Sequence, residues 1–260
     1  MGERKESLIN PEEIWGSEVR VPIIVGQGSG LGFEFKNLSL PTNWEVAIPK
    51  LKELDHSIFA GFFSDHCQKR GYEAGDMKYD PSTGILTEIT VNTQPVSSLR
   101  LSEFSFEREK GIYVAENVND IRVAIILQSI AARFLNYVAM DSQIEDRYPY
   151  LDGNQEGYYP LNLSIPDKFI NSEEPLTNSY YQRHFEIEAS NIAGRFGLTL
   201  GSITFDDRGA LSHVDITVGS CGYDLNRGRE YLPHNVDSPY QGAALQGITA
   251  SFINFLLEKP

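Results

Sequence analysis

The apolar positions of this chain follow one pattern written twice. Tyr113 to Val138 reads YVAENVNDIRVAIILQSIAARFLNYV, and Tyr231 to Leu256 reads YLPHNVDSPYQGAALQGITASFINFL, aligned without a gap. Tyr113/Tyr231, Asn117/Asn235, Val118/Val236, Leu127/Leu245, Gln128/Gln246, Ile130/Ile248, Ala132/Ala250, Phe134/Phe252 and Asn136/Asn254 are identical. Average composition would give roughly one or two matches by chance over such a length. Leu127, Ile130 and Phe134, with 245, 248 and 252 in the second copy, recur at helical spacing and predict the core face of a helix. Gln128, Ala132 and Asn136 form another stripe at i, i+4, i+8, repeated at 246, 250 and 254. A small residue between two amides suits close packing across the halves, with a shared polar pocket as the alternative. Asp120 and Ser238 are expected N-caps, and Pro239 occupies a favoured first helical position.

The repetition continues upstream. Asn37-Leu38-Ser39-Leu40-Pro41 returns as Asn162-Leu163-Ser164-Ile165-Pro166, and Gly71, Gly75, Asp80 and Gly84 return as Gly197, Gly201, Asp206 and Gly209. Val21 to Val25 and Phe33-Glu34-Phe35 read as short strands joined by the glycine-rich turn from Gly26 to Gly32. Leu51, Leu54, Ile58, Phe62 and Cys67 predict a helix stopped at Gly71, and Tyr181, Phe185, Ala189, Ile192 and Phe196 predict its counterpart stopped at Gly197. Hairpins follow, Met77–Tyr79 with Ile85–Val91 and Ile203–Phe205 with Ala210–Val218, turned by Asp, Pro and Gly. Phe104 and Phe106 alternate with polar neighbours, and turns are expected at Glu109-Lys110-Gly111 and Asn226-Arg227-Gly228.

These elements define an α+β fold, because consecutive strands on short turns pair antiparallel. The expected architecture is a tandem duplication of a strand, helix, antiparallel strands, helix unit with pseudo-two-fold symmetry. A ferredoxin-like arrangement is one candidate for each half. The divisions are a polar tail at 1–19, a first repeat at 20–140, an acidic linker at 141–156 and a second repeat at 157–260.

Composition narrows the function classes. A net charge of −14 leaves no Lys/Arg cluster for a phosphate backbone, so no nucleic-acid partner is expected. The acidity suits solubility or a basic protein partner. The N-terminal MGERKESLINPEE has no apolar core and is not a secretory signal, and Glu6 departs from the myristoylation pattern begun by Gly2. Without a signal, the sequons at Asn37 and Asn162 are read as part of the repeat. The most apolar window, Ile121 to Val138, is broken by Arg122, Gln128, Arg133 and Asn136, so a core helix is expected and no membrane partner. The resulting expectation is a soluble, cytoplasmic protein. Cys67 and Cys221 stand at unrelated places and predict neither a disulfide nor a CxxC metal pair.

The glycine turn matches neither GxGxxG nor GxxxxGK[ST], and no GxSxG or HExxH occurs. Asp65-His66-Cys67 holds nucleophilic residue types, but neighbouring helix positions diverge by about 100°, so Cys67 is read as core and His66 as its boundary. Cys221 lies in a flexible glycine context, Gly219 to Gly222, where a reactive thiol is the alternative to a structural one. The copies differ where Glu116 gives way to His234, and where Glu88 corresponds to His213 or Asp215. His213 and Asp215 share a strand face, and His234 leads into a helix, so these three are the candidate site. Two imidazoles and a carboxylate suit a divalent metal with an open position, or an acid–base pair oriented by the carboxylate. The leading functional expectation is a binding or interaction protein for an unknown small molecule or protein, with its site in the groove between the repeats. The alternatives are a metal-dependent or acid–base enzyme using the second repeat, and an acidic partner of a basic protein.

Overall fold

The computed structural model describes residues 22–27, 32–41, 44–92, 101–107, 112–116, 118–141, 148–154, 157–166, 169, 179–217, 221–227 and 229–257. The polar tail at 1–19, segment 28–31 of the glycine-rich turn, the turn at 109–111, positions 142–147 of the acidic linker, and positions 117, 218–220 and 228 lie outside those residues.

The fold is α+β. Its first half opens with an antiparallel hairpin, β1 (Ile23–Gly26) and β2 (Phe33–Lys36), in which Ile23 faces Lys36 and Gly26 faces Phe33. A 3-10 turn (Trp44–Ala47), α1 (Ile48–Glu53) and α2 (Ser57–Lys69) follow. Then come β3 (Glu73–Tyr79), β4 (Leu86–Asn92), β5 (Leu101–Glu107) and β6 (Ile112–Glu116), and α3 (Ile121–Asp141) closes the half. The second half runs through the hairpin β7 (Tyr150–Asn154) and β8 (Gly157–Leu161), then α4 (Ser179–Arg195). It continues with β9 (Leu200–Phe205), β10 (Leu211–Ile216), β11 (Cys221–Leu225) and β12 (Tyr231–His234), and ends with α5 (Pro239–Leu257). Each four-stranded sheet is a meander whose neighbours in space are neighbours in sequence. A ferredoxin-like unit needs a crossover between strands, and short turns between consecutive antiparallel strands leave none, so that candidate is set aside.

Details of the backbone account for several of the repeated residues. Asn37 (φ 59°) and Asn162 (φ 58°) both sit in the left-handed region, which asparagine tolerates better than most residues. Phe33 N–H and Tyr158 N–H donate to the carbonyls of Val118 and Val236, each at 2.8 Å. The buried hydroxyl of Tyr113 donates to Leu86 O at 2.9 Å, and that of Tyr231 donates to Leu211 O at 2.8 Å. These tyrosines tie the fourth strand of each meander to the second; Glu88 lies two residues after Leu86 in β4, and His213 two after Leu211 in β10.

The core lies on α3 and α5, where Phe134 and Phe252 are buried. Phe134 meets Phe59 (5.7 Å between centroids) and Tyr79 (6.3 Å), while Phe252 meets Phe185 (5.1 Å) and Phe205 (6.0 Å). The helix starts are capped as expected. Asp120 Oδ1 accepts Arg122 N–H at 2.8 Å, and Ser238 Oγ accepts Tyr240 N–H at 3.3 Å. Gln241 Oε1 in turn accepts Ser238 N–H at 3.1 Å, completing a capping box. The stretch Ile121–Ala139 is long and apolar enough to cross a bilayer, and 78% of it is buried inside the fold.

Three expectations are corrected. The stripe through Ile58 and Phe62 is not the inner face of α2, since these residues are 52% and 41% exposed while Phe59, Phe63 and Cys67 are buried. Leu54 is extended (ψ 130°) and the helix restarts at Ser57, so positions beyond the break are out of phase with Leu51. His66 is buried rather than at the boundary. The stretch from Tyr148 to Asn154 is no solvated linker: Tyr148, Tyr150 and Leu151 are buried, and residues 150–154 form β7. The second half therefore begins before 157. The hairpins also lean across the halves, with β1 against α4 and α5, and β7 against α3.

Candidate functional site

The first candidate lies on the outer face of the second meander. Cys221 and Tyr223 point into the core, so the alternation of β11 turns Gly222 and Asp224 outward. In register, His213 faces Asp224 across β10 and β11, while Gly222 stands between Asp215 on β10 and His234 on β12. The imidazoles of His213 and His234 stack at 5.7 Å between centroids and 7° between planes. Asp224 reaches both, with Oδ1 at 2.6 Å from His213 Nδ1 and Oδ2 at 3.0 Å from His234 Nδ1. The second contact is an ion-pair distance, but it is not aligned as a hydrogen bond. Asp215 Oδ2 lies 3.3 Å from His213 Nε2 and accepts from Ser202 Oγ at 2.9 Å, while Oδ1 accepts Ser202 N–H.

Two glycines make this packing fit. A Cβ on Gly201 would overlap the Asp215 carboxylate, and one on Gly222 would stand 2.8 Å from His234 Cε1. Burial alone would raise the Asp215 pKa, but its bonds from Ser202 and the His213 imidazole hold it below the usual value. Burial alone would lower the His213 pKa, but the hydrogen bonds to Asp224 and Asp215 carry it above the usual value.

Of the three residues expected to form a site, His213 and His234 do come together. Asp215 touches only the far nitrogen of His213. The carboxylate between the two rings is Asp224, which sequence reasoning missed. The period-two alternation of Cys221, Tyr223 and Leu225 was the signal that placed Asp224 outward, but its partner depended on the β10–β11 register. In the first half Glu88 pairs instead with Lys78 across the sheet at 2.6 Å, and Thr90 Oγ1 accepts Asp76 N–H at 2.7 Å. Cys67 and Cys221 are free and buried. Burial pushes the Cys67 thiol up to about 12 and raises that of Cys221, opposite to the lowered values of reactive thiols.

The second candidate is a cleft of about 350 Å³ between the halves. One wall is the β1–β2 hairpin, with Ile23, Ile24, Val25, Lys36 and Asn37. The other is Glu188, Asn191, Ile192, Arg195 and Phe196 from the α4 region, with Ser251, Asn254 and Phe255 on α5. Where β7 meets α2 and α3, charged side chains meet instead. Arg70 Nη2 binds Asp152 Oδ1 at 3.0 Å, and Arg133 Nη2 lies 3.8 Å from Asp152 Oδ2. The Arg133 guanidinium covers Phe62 at 4.7 Å and Tyr150 at 5.2 Å. Ser251, Phe196, Ile192 and Val25 line the cleft, where the contact around Asp152 has Arg133, Arg70 and His66. No family model, curated protein or solved structure matches the chain, so the function has to be read from these two places.

Proposed function

We propose that the chain is a cytoplasmic, non-enzymatic binding protein, and that its ligand is a small amphipathic anion held in the cleft between the halves. The two halves are read as a duplication in which one groove has been filled by side chains and the other left open. The observation that carries this reading is the contrast between the open cleft and its charge-filled counterpart around Asp152. The volume lies at the lower end of small-molecule sites, which span about 300–1,000 Å³. Its walls mix aliphatic and aromatic side chains (Ile23, Ile24, Val25, Ile192, Phe196 and Phe255) with polar ones, among them the amides of Asn191 and Asn254 and the Glu188 carboxylate. Lys36 and Arg195 border it with no ion pair among the described residues, in a chain of net charge −14. An apolar body with one anionic group fits that lining. The stacked histidines favour a second reading, a metal-dependent or acid–base role for the second half.

The test uses 8-anilinonaphthalene-1-sulfonate, an aromatic body bearing one sulfonate. Calorimetry with the folded full-length chain should give one site per chain. Ser251→Arg, which copies Arg133, should weaken it at least about tenfold, or ~1.4 kcal/mol, at unchanged thermal midpoint. Arg195→Ala should weaken it less. Equal binding by wild type and Ser251→Arg would refute the cleft as the site.

A further inference from the structure

We infer that His213, Asp224 and His234 form a binding site for a divalent transition-metal ion of the zinc class, with Asp215 as a positioning residue behind His213. The inference is independent of the cleft. It starts from the way three strands deliver three donors to one point: one ligand atom from each residue lies within 4.8 Å of the other two. Bonds of about 2.0 Å in a tetrahedron would set such atoms about 3.3 Å apart, so small side-chain rotations close the set. The backbone register already holds the strands in place.

The hydrogen bonding selects which nitrogens face the ion. Asp215 Oδ2 faces His213 Nε2 at 3.3 Å, and Asp215 is itself held by the backbone and hydroxyl of Ser202. Nδ1 of His213 is thus the nitrogen left for a ligand, and it points at Asp224. His234 presents its own Nδ1 to the other oxygen of the same carboxylate. A carboxylate behind a ligating imidazole is the usual outer support of a metal-bound histidine, fixing its tautomer and ring orientation. Whatever proton His213 Nδ1 and Asp224 Oδ1 hold between them, 2.6 Å apart, lies in the place the ion would take. Binding releases that proton to solvent and forms nitrogen–metal and oxygen–metal bonds.

The donor types set the ion class. Two imidazoles with one carboxylate suit zinc, cobalt or nickel, whereas calcium and magnesium require oxygen ligands. The Asp224 side chain is 57% exposed, so remaining coordination positions open to water. The first half cannot repeat the site, because Glu88, two residues after Leu86 as His213 is after Leu211, is engaged by Lys78.

The experiment is calorimetric titration of the full-length chain with zinc chloride, followed by visible spectra after cobalt(II) addition. Wild type should bind one ion, with cobalt bands of a four- or five-coordinate site. Asp224→Asn and His234→Ala should abolish the heat, and Asp215→Asn should weaken binding roughly 10–100-fold. His184→Gln, on exposed α4 surface, should leave it unchanged. A check that needs no variant is the imidazole Cε1–H spectrum: zinc should shift two of the 5 histidines and leave the others in place. Absence of zinc heat in wild type, or shifts confined to other histidines, overturns the site. Wild-type affinity in Asp215→Asn overturns the positioning role.

Discussion

The two places where a hairpin leans on the helices across the chain, β1 on α4 and α5 and β7 on α3, differ in chemistry. Around β7 the contact is closed by charge: Asp152 joins Arg70 and Arg133, with His66 buried behind them. Around β1 stand Val25, Phe196, Ser251 and Ile192, and a cleft remains. Removing charges from water costs several kcal/mol per ion, so a buried network of this kind holds together only when its partners are all present. The filled contact therefore fixes the halves by mutual dependence. The open one places polar side chains such as Lys36, Asn191 and Arg195 along the wall of a cleft. Two hairpin–helix contacts can thus differ in whether charged side chains close them or a cleft remains.

The largest expected effect tests what the two places have in common. Phe134 and Phe252 sit in equivalent aromatic clusters beside their helices, each edge-on to a phenylalanine of α2 or α4. Phe134→Ala and Phe252→Ala should each cost about 3–5 kcal/mol, the range for deleting a buried aromatic, as read from urea titration. A cost under about 1 kcal/mol for one of them would mean that the halves do not share a core plan.

The next effect sharpens the difference. Burial holds the His66 pKa at about 4 against an ordinary 6.5, with Asp152 opposing the shift and Arg70, Arg133 and Lys69 adding to it. Arg70 Nη1 lies 3.3 Å from His66 Nδ1, which fits a neutral ring accepting from the guanidinium. Between pH 6.5 and about 4 the unfolded chain binds a proton that the folded chain refuses, so stability falls as pH falls through this window. The full loss approaches roughly 3 kcal/mol at 1.36 kcal/mol per unit. Burial alone would raise the Asp152 pKa, but His66, Gly153 N–H and Arg70 hold it below 3.8. Its contribution is therefore intact above that pH and is lost as pH falls through its folded value. His66→Ile, copying Ile192 of the open side, should flatten the decline between pH 7 and 4.5 in urea titrations, windows set by the shift of His66. An unchanged slope would show that His66 titrates freely.

What was legible in the sequence was whatever local periodicity records. The stripes of α3 and α5, the caps at Asp120 and Ser238, and the hairpins follow from spacing along one element. The equivalence of Gly75 and Gly201 was visible as a repeat, but its reason was not: each faces the side chain of Thr90 or Asp215 across the sheet, with no room for a Cβ. Asp224 escaped notice because its partnership with His213 depends on register between strands. The inner face of α2 was misread because the break at Leu54 resets its phase. The cleft was invisible for a different reason. It is lined by Val25, Ile192, Phe196 and Ser251, which come from separate parts of the chain and meet only after folding.

The smallest effect separates two residues that the sequence treats as identical. Gln128 and Gln246 occupy equivalent positions on α3 and α5, and both are fully buried. Gln128 uses both ends of its amide: Nε2 donates to Pro22 O and Oε1 accepts Leu151 N–H, each at 3.4 Å, so it bridges the two hairpins. Among the described residues, both amide atoms of Gln246 lack a partner, as does the hydroxyl of Thr249 one turn further on. An unmade hydrogen bond on a buried group costs about 1–3 kcal/mol, whereas exchange for an apolar group of similar shape is close to neutral or stabilising. Gln128→Leu should therefore destabilise the fold by about 1–3 kcal/mol, because it strands the Leu151 amide. Gln246→Leu should leave stability unchanged or raise it by up to about 1 kcal/mol. Paired urea titrations decide the matter. Equal costs for the two substitutions would mean that α5 satisfies its glutamine as fully as α3 does, and the contrast between the two contacts would not extend into the helices beneath them.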